Sequence, residues 1–484
     1  MADSLKNKTV KGAAWSAIDT IGNYGITFIV GIVLARLLSP EEYGLIGIVA
    51  IFIAVFNSIV EGGFSSALIR KKDTTQADYC TMFYINLWVS IVLALILFFG
   101  AGTIAEFFKR DELTNLTRCL SPIIILNGLG FVQRTHLTKI LDFKSLTKVS
   151  IIASVSSGVI GICMAYMGFG VWSLVGQQLS RQGFNTLLLW LVSRWRPLLL
   201  FSSASFKNLF GFGWKLLASN LLDTIWKEVN QVVIGKVYSP QMLGYYTRAS
   251  QYGNLISSSL TTVIQKVTYP VLSSIQNEND RMKGAYRRVI RLTMMITTII
   301  MLCLAASAES FIVVLIGEKW LPCVPMLQIL CLGMMLYPLH SINLNMLQVL
   351  GRSDIYLILE IVKKIIGIVP ILLGIFVGVY SLLIGGVVVG VIAFFLNSFY
   401  SGKGIGYSSF DQIKDIAPSL CISFATALIV WSITLLNFTP IAELLIQIPV
   451  GVIVGLILHE MFKLSEYLEL KGIVLDFWHR RRKK

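Results

Sequence analysis

Apolar runs of membrane length follow one another along the chain, separated by short polar breaks. They predict about fourteen helical spans, with cores near 14–35, 44–60, 80–102, 115–133, 150–167, 171–192, 211–236, 243–267, 289–308, 324–349, 356–377, 381–400, 417–436 and 440–462. A helix needs about 20 apolar residues to cross the hydrocarbon core of a bilayer. The short alternating segments of an outer-membrane barrel are absent, so helices satisfy the backbone. Spans seven and eight are the least apolar, because Lys215, Asp223, Lys227, Glu228 and Arg248 lie inside them.

Two short stretches occur twice, in order. Ser39-Pro40-x-x-x-Gly44 returns as Ser239-Pro240-x-x-x-Gly244, and Gly170-Val171-Trp172-Ser173-Leu174 returns as Gly378-Val379-Tyr380-Ser381-Leu382. The repeat aligns the weak spans seven and eight with the clearer spans one and two. It is six spans long, an even number, so both copies insert with the same orientation. That predicts two six-helix lobes related by a pseudo-two-fold axis along the membrane normal. The expected organisation is an N-lobe at 1–197, a C-lobe at 198–405, and two further spans with a tail at 406–484. Duplicated helical halves with a cleft between them point to a transporter.

Composition agrees. Of the 484 residues, 55% are hydrophobic and 14% charged, against roughly 25% charged in a soluble globule. The formal net charge of +15 resembles a nucleic-acid signal, but Lys and Arg of a multispanning protein gather in cytoplasmic loops. Here they do so in alternate connections: Lys6, Lys8 and Lys11; Arg70 to Lys72; Arg134, Lys139, Lys144 and Lys148; Arg194 and Arg196; Arg281 to Arg291; and the run Arg480–Lys484. Both termini are therefore expected in the cytoplasm. The N-terminal apolar segment is too long for a cleavable signal. The tail from Lys463 onward is amphipathic and ends basic, which suits the anionic inner leaflet.

Polar side chains inside spans are the candidate chemistry, since a charge facing lipid costs several kcal/mol. Span seven carries Asn220, Asp223, Lys227 and Gln231 on one face, with Glu228 beside them. Span one carries Ser16, Asp19, Thr20, Asn23 and Thr27 on a comparable face. In span eight Tyr245, Arg248 and Tyr252 share a face. Lys227 and Arg248, with Lys215, are candidate anion-binding cations; Asn23, Asn220, Asp223, Gln231, Tyr245 and Tyr252 are candidate cavity lining. Asp19, Asp223 and Glu228 are candidate ion-coupling carboxylates. Plainer roles stand beside these. Asp223 and Lys227 can neutralise each other one helical turn apart, Lys215 can snorkel to the interface, and Asp19 can balance a helix dipole. Arg181 with Gln177 and Gln178 makes a polar inner end to span six, read as structural. Glu61 is read as interfacial.

Several chemistries are not indicated. The seven Cys form no C-x-x-C, and neither a G-x-x-x-x-G-K-[ST] cradle nor an H-E-x-x-H occurs. No cofactor, metal or enzymatic activity is expected. The outer loops, such as Gly168-Phe169-Gly170, are too short to house a catalytic domain.

The stretch Leu37-Leu38-Ser39-Pro40-Glu41-Glu42-Tyr43-Gly44, the Gly170-Val171-Trp172-Ser173-Leu174 opening of span six, and Trp190 with Trp195-Arg196-Pro197 at the lobe junction carry a resemblance. The chain resembles the polysaccharide flippases of the multidrug/oligosaccharidyl-lipid/polysaccharide exporter superfamily, in the branch serving lipopolysaccharide, colanic-type and teichuronic-type polymers. The resemblance implies a bacterial inner-membrane protein that turns undecaprenyl-pyrophosphate-linked oligosaccharide from the inner to the outer leaflet by alternating access. Membrane lipid and the carrier-linked glycan are the implied partners, together with polysaccharide polymerase and chain-length machinery, and no nucleic acid. Two rivals remain: an ion-coupled drug antiporter of the same superfamily, controlled by acids such as Asp19, and a membrane polysaccharide polymerase.

Overall fold

In the computed structural model, residues 2–276 and 278–482 are described. They are almost wholly helical, and none of them forms a strand. The chain divides into two compact units, Met1–Gly244 and Tyr245–Lys484.

The principal helices of the first unit are α1 (Ala2–Leu37), α2 (Pro40–Glu61), α3 (Gln76–Phe99), α4 (Pro122–Lys139), α5 (Phe143–Tyr166), α6 (Trp172–Val192) and α7 (Ser203–Val237). The next helix, α8 (Pro240–Ser274), begins in this unit and continues into the second. Ten helical stretches among the described residues are long and apolar enough to cross a membrane, so the protein is a multi-pass membrane protein. The remaining expected spans are helical too, but for reasons visible in their residues they are less apolar or interrupted. One face of α6 carries Gln178, Arg181, Gln182 and Asn185, and α7 carries five charged side chains between Lys207 and Glu228. The run 356–377 is broken at Gly367 into two shorter helices.

The repeated Ser-Pro pair explains how α2 and α8 start. Ser39 is the N-cap of α2: Glu42 N–H donates to its Oγ at 3.3 Å, while its own N–H donates to Glu42 Oε2 at 2.6 Å. Pro40 takes the first helical position, where its missing N–H costs nothing. Ser239 repeats the arrangement, its Oγ accepting from Met242 N–H at 3.1 Å. The glycine four residues beyond each proline then meets the other copy. A Cβ at Gly44 would overlap the carbonyl of Pro240, and one at Gly244 the carbonyl of Pro40. The two helix starts thus cross backbone to backbone.

Small residues on α5 let its neighbours close in. Thr147, Ser150, Ala153, Ser154, Ser157, Gly158 and Gly161 line the faces that α1 and α6 pack against. Gly158 faces Val30 and Gly161 faces Gln177, with no room for a Cβ at either. Without a hydrophobic drive between helices in lipid, such close packing and interhelical hydrogen bonds hold a bundle together. α7 packs against α2 and against the short helix Phe64–Arg70.

The second unit continues with α9 (Asn279–Ala306), α10 (Tyr337–Val349), α11 (Ser353–Ile366), α12 (Val379–Lys403), α13 (Ser409–Ser432), α14 (Pro440–Met461) and α15 (Ser465–Arg482). A buried network ties four of them. Tyr286 Oη and Ser401 Oγ donate to Asn343 Oδ1 at 2.8 and 2.6 Å, and Gln412 Nε2 does so at 3.3 Å. Beside it Asp415 accepts Arg287 Nε at 2.7 Å and Nη2 at 2.8 Å, Tyr407 Oη at 2.6 Å, and Arg291 Nη2. Burial, with the hydrogen bond to Asp415, pushes the Tyr407 phenol above its ordinary range. The expected amphipathic tail is α15. It docks through a buried Glu466, which accepts from Ser419 Oγ at 2.9 Å, and through a Glu469–Arg288 ion pair. The side chains of Ile473, Leu475 and the basic run Arg480–Lys484 lie outside the described residues.

Candidate functional site

Helices α1, α4, α5 and α6 line an open cavity of about 630 Å³ within the first unit. Each contributes through its helical period. α1 presents Ser16, Asp19 and Asn23 at i, i+3 and i+7. α5 presents Thr147, Ser150 and Ser154, and α6 presents Gln178, Arg181, Gln182 and Asn185. From α4 come Arg134 and Thr138. A smaller chamber of about 240 Å³ adjoins it. Arg134 and Gln182 line both.

The carboxylate of the main cavity is satisfied by its neighbours. Asp19 Oδ1 accepts Asn23 Nδ2 at 2.9 Å and Ser150 Oγ at 2.7 Å. Asn23 Oδ1 in turn accepts Ser154 Oγ at 2.5 Å, and its amide also reaches Ser150. This small network pins α1 to α5. The two arginines are in the opposite condition. Arg134 and Arg181 are exposed to the cavity, and neither side chain has a hydrogen bond or ion pair with any described residue. Two guanidiniums and one carboxylate are the charged lining of the main cavity, which leaves it net positive. Charges at membrane depth face water or a ligand, and a guanidinium presents five N–H donors suited to gripping an oxyanion with two parallel bonds. Surrounded by amides and hydroxyls, the pair can receive a phosphate-bearing group. Among the described residues no cluster of His, Cys, Asp and Glu could hold a metal ion.

The residues singled out in the sequence fall in several places. Asp19 and Asn23 come together in the main cavity, and Asn220 lines the smaller chamber. Lys215, Asp223 and Lys227 are exposed along α7, and Glu228, half-buried, accepts from Gln231 Nε2. Three others are packed in the second unit. Tyr245 lies edge-on to Trp320, with ring centroids 6.0 Å apart, and donates to Lys319 O at 3.4 Å. Arg248, 7% exposed, donates from Nη1 to Gln251 Oε1 at 2.5 Å. Tyr252 is buried edge-on to Phe311.

Sequence reasoning passed over the two cavity arginines. In the sequence Arg134 is one of the loop cations and Arg181 has a structural reading. The Gln178, Arg181, Gln182, Asn185 spacing was the available signal. On α4 the partner signal was weaker, one arginine near the end of a helix.

Comparison with known proteins bears on what the cavity belongs to. The chain is 25% identical over 355 residues to the teichuronic acid biosynthesis protein TuaB of Bacillus subtilis (strain 168), covering 73% of each chain. It is 24% identical over 437 residues to the lipopolysaccharide biosynthesis protein WzxC of Escherichia coli (strain K12), covering 88% of this chain and 89% of that one. Its fold is that of the lipid II flippase MurJ in an inward closed conformation, at a TM-score of 0.72 and 17% identity over 94% of this chain and 98% of that chain. A multidrug resistance MATE family transporter in an inward-facing conformation also shares it, at a TM-score of 0.61 and 17% identity over 82% and 98% of the two chains. The model of a family described as polysaccharide biosynthesis protein matches residues 33–325, more than half of the chain, and the protein belongs to that family.

Proposed function

We propose that this protein is a flippase for lipid-linked oligosaccharide, moving undecaprenyl-pyrophosphate-linked repeat units from the inner to the outer leaflet of a bacterial cytoplasmic membrane for surface polysaccharide export. The observation that carries this reading is the pair of unpartnered guanidiniums, Arg134 and Arg181, facing one polar cavity among membrane-length helices. A pyrophosphate bears about two negative charges, and taking it through hydrocarbon without compensation is prohibitive. The arginines replace its hydration with charge-assisted hydrogen bonds. Exposed Lys215 and Lys227 on α7 add positive charge for the same headgroup. The amides and hydroxyls of Gln178, Asn185 and Ser154 meet sugar hydroxyls, and the polyprenyl chain stays in lipid. Alternating access of two repeat-related lobes supplies the movement. No covalent bond changes, which sets the reading apart from a polymerase. Both termini lie in the cytoplasm, and the polymerase and chain-length machinery take the product on the far side.

The test is deletion of the gene followed by complementation with R134Q/R181Q. The expected result is loss of surface polysaccharide and accumulation of unpolymerised carrier-linked units at wild-type protein level. Normal surface polysaccharide in that strain would overturn the anion-site assignment.

A second reading is favoured by one observation, the Asp19–Asn23–Ser150 cluster facing the same cavity. An ion-coupled antiporter would depend on that carboxylate. It predicts that Asp19→Asn abolishes export of a cationic dye while R134Q/R181Q is tolerated. The flippase reading predicts that no dye is exported.

A further inference from the structure

The smaller chamber has a lining of a distinct kind. Four planar polar side chains converge on it from four helices: Glu61 from the end of α2, Asn127 from α4, Gln182 from α6 and Asn220 from α7, with Arg134 of α4 as a fifth. One aromatic ring, Phe131, joins them. The backbone arranges this locally. Gly62 and Gly63, at φ +21° and +73°, turn the chain sharply after Glu61 and leave its carboxylate at the chamber wall. Gln182 Nε2 donates to Asn127 Oδ1 at 2.9 Å. That bond fixes both amides while leaving Asn127 Nδ2 to donate and Gln182 Oε1 to accept. Glu61, Arg134 and Asn220 have no side-chain partner among the described residues. The chamber therefore offers fixed acceptors and donors in pairs, which is what vicinal hydroxyls on a sugar ring require. Its volume of about 240 Å³ equals roughly eight waters at about 30 Å³ each. That is room for one pyranose ring.

We infer that this chamber is a monosaccharide subsite, taking one uncharged pyranose of the carried glycan while the main cavity holds the anionic headgroup. The inference rests on the flippase reading and deepens it. Arg134 and Gln182, which line both spaces, set the register between headgroup and sugar. With Arg134 taken up by the headgroup, Glu61 gives the subsite its selectivity, because a carboxylate accepts from sugar hydroxyls but repels a uronic acid.

The experiment uses full-length protein in nanodiscs and three probes: undecaprenyl pyrophosphate, the same carrier bearing one glucose, and the carrier bearing one glucuronic acid. Binding is read by native mass spectrometry. Wild type is expected to bind the glucosyl carrier at least tenfold more tightly than the bare carrier, and more tightly than the glucuronosyl carrier. N127A/N220A is expected to bring the glucosyl preference to within twofold. E61Q is expected to raise affinity for the glucuronosyl carrier. Bare-carrier binding with no preference for the glucosyl form in wild type, or a preference kept in full by N127A/N220A, overturns the subsite. Failure of wild type to bind the bare carrier any better than R181Q does overturns the headgroup reading instead.

Discussion

At the scale of single residues, charge in this protein is treated in two ways. Asp415 is surrounded: two arginines and a tyrosine satisfy it, and its side chain is 6% exposed. Arg134 and Arg181 are left open. The first arrangement serves folding and the second leaves binding capacity unspent. Replacing Asp415 by Ala should therefore cost about 2–3 kcal/mol, below the full cost of breaking a buried pair because Arg287 and Arg291 keep some contact with water. The expected outcome is a lower thermal midpoint of the detergent-solubilised protein, with carrier binding by the folded fraction unchanged. R134Q/R181Q should do the reverse. Both types of residue look alike in the sequence, as charges within or beside apolar runs. What separates them is the partner, and partners come from helices distant along the chain, such as the 128 positions between Arg287 and Asp415. Asp19 and Asn23 were legible because their helix shows a polar stripe of its own. Arg248 was legible as an unusual charge, but its burial against Gln251 was not.

At the scale of helices, apolar length and the repeated motifs were enough to place nearly every element. The Ser-Pro starts of α2 and α8 follow from capping chemistry that needs only local residues. The break at Gly367 was not legible, because a glycine within an apolar run is compatible with a continuous helix until its packing is known. The crossing at Gly44 and Gly244 gives the sharpest test at this scale. Both glycines face backbone carbonyls, which cannot rotate aside as a side chain would. Gly44→Val should destabilise the protein by about 1–3 kcal/mol, as overpacking does, whereas Gly102→Val on an open surface should be near neutral. Thermal unfolding of the two variants side by side checks this, and equal midpoints would refute the close crossing.

At the scale of the whole molecule, family and fold agree with the reading that composition allowed: a polytopic helical protein related to polysaccharide biosynthesis. The expected orientation follows from the placement of charge. Fluorescent protein fused after Lys484 is expected to fluoresce, and alkaline phosphatase inserted at Gly168-Phe169 to be active, because the basic connections stay inside. An inactive phosphatase with a dark C-terminal fusion would invert the topology. The proposed sugar preference was hidden at this scale, since it depends on three amides and a carboxylate brought together from four helices. Each amide by itself is an ordinary polar residue in a membrane protein.

The meeting of Pro40 with Gly244, and of Pro240 with Gly44, carries one more consequence. At the point of contact each glycine faces a backbone carbonyl. A main-chain surface of this kind has no rotamer that could turn aside to admit a side chain. It holds by fit alone, so the register between the two helix starts is set by the absence of a single carbon atom at positions 44 and 244.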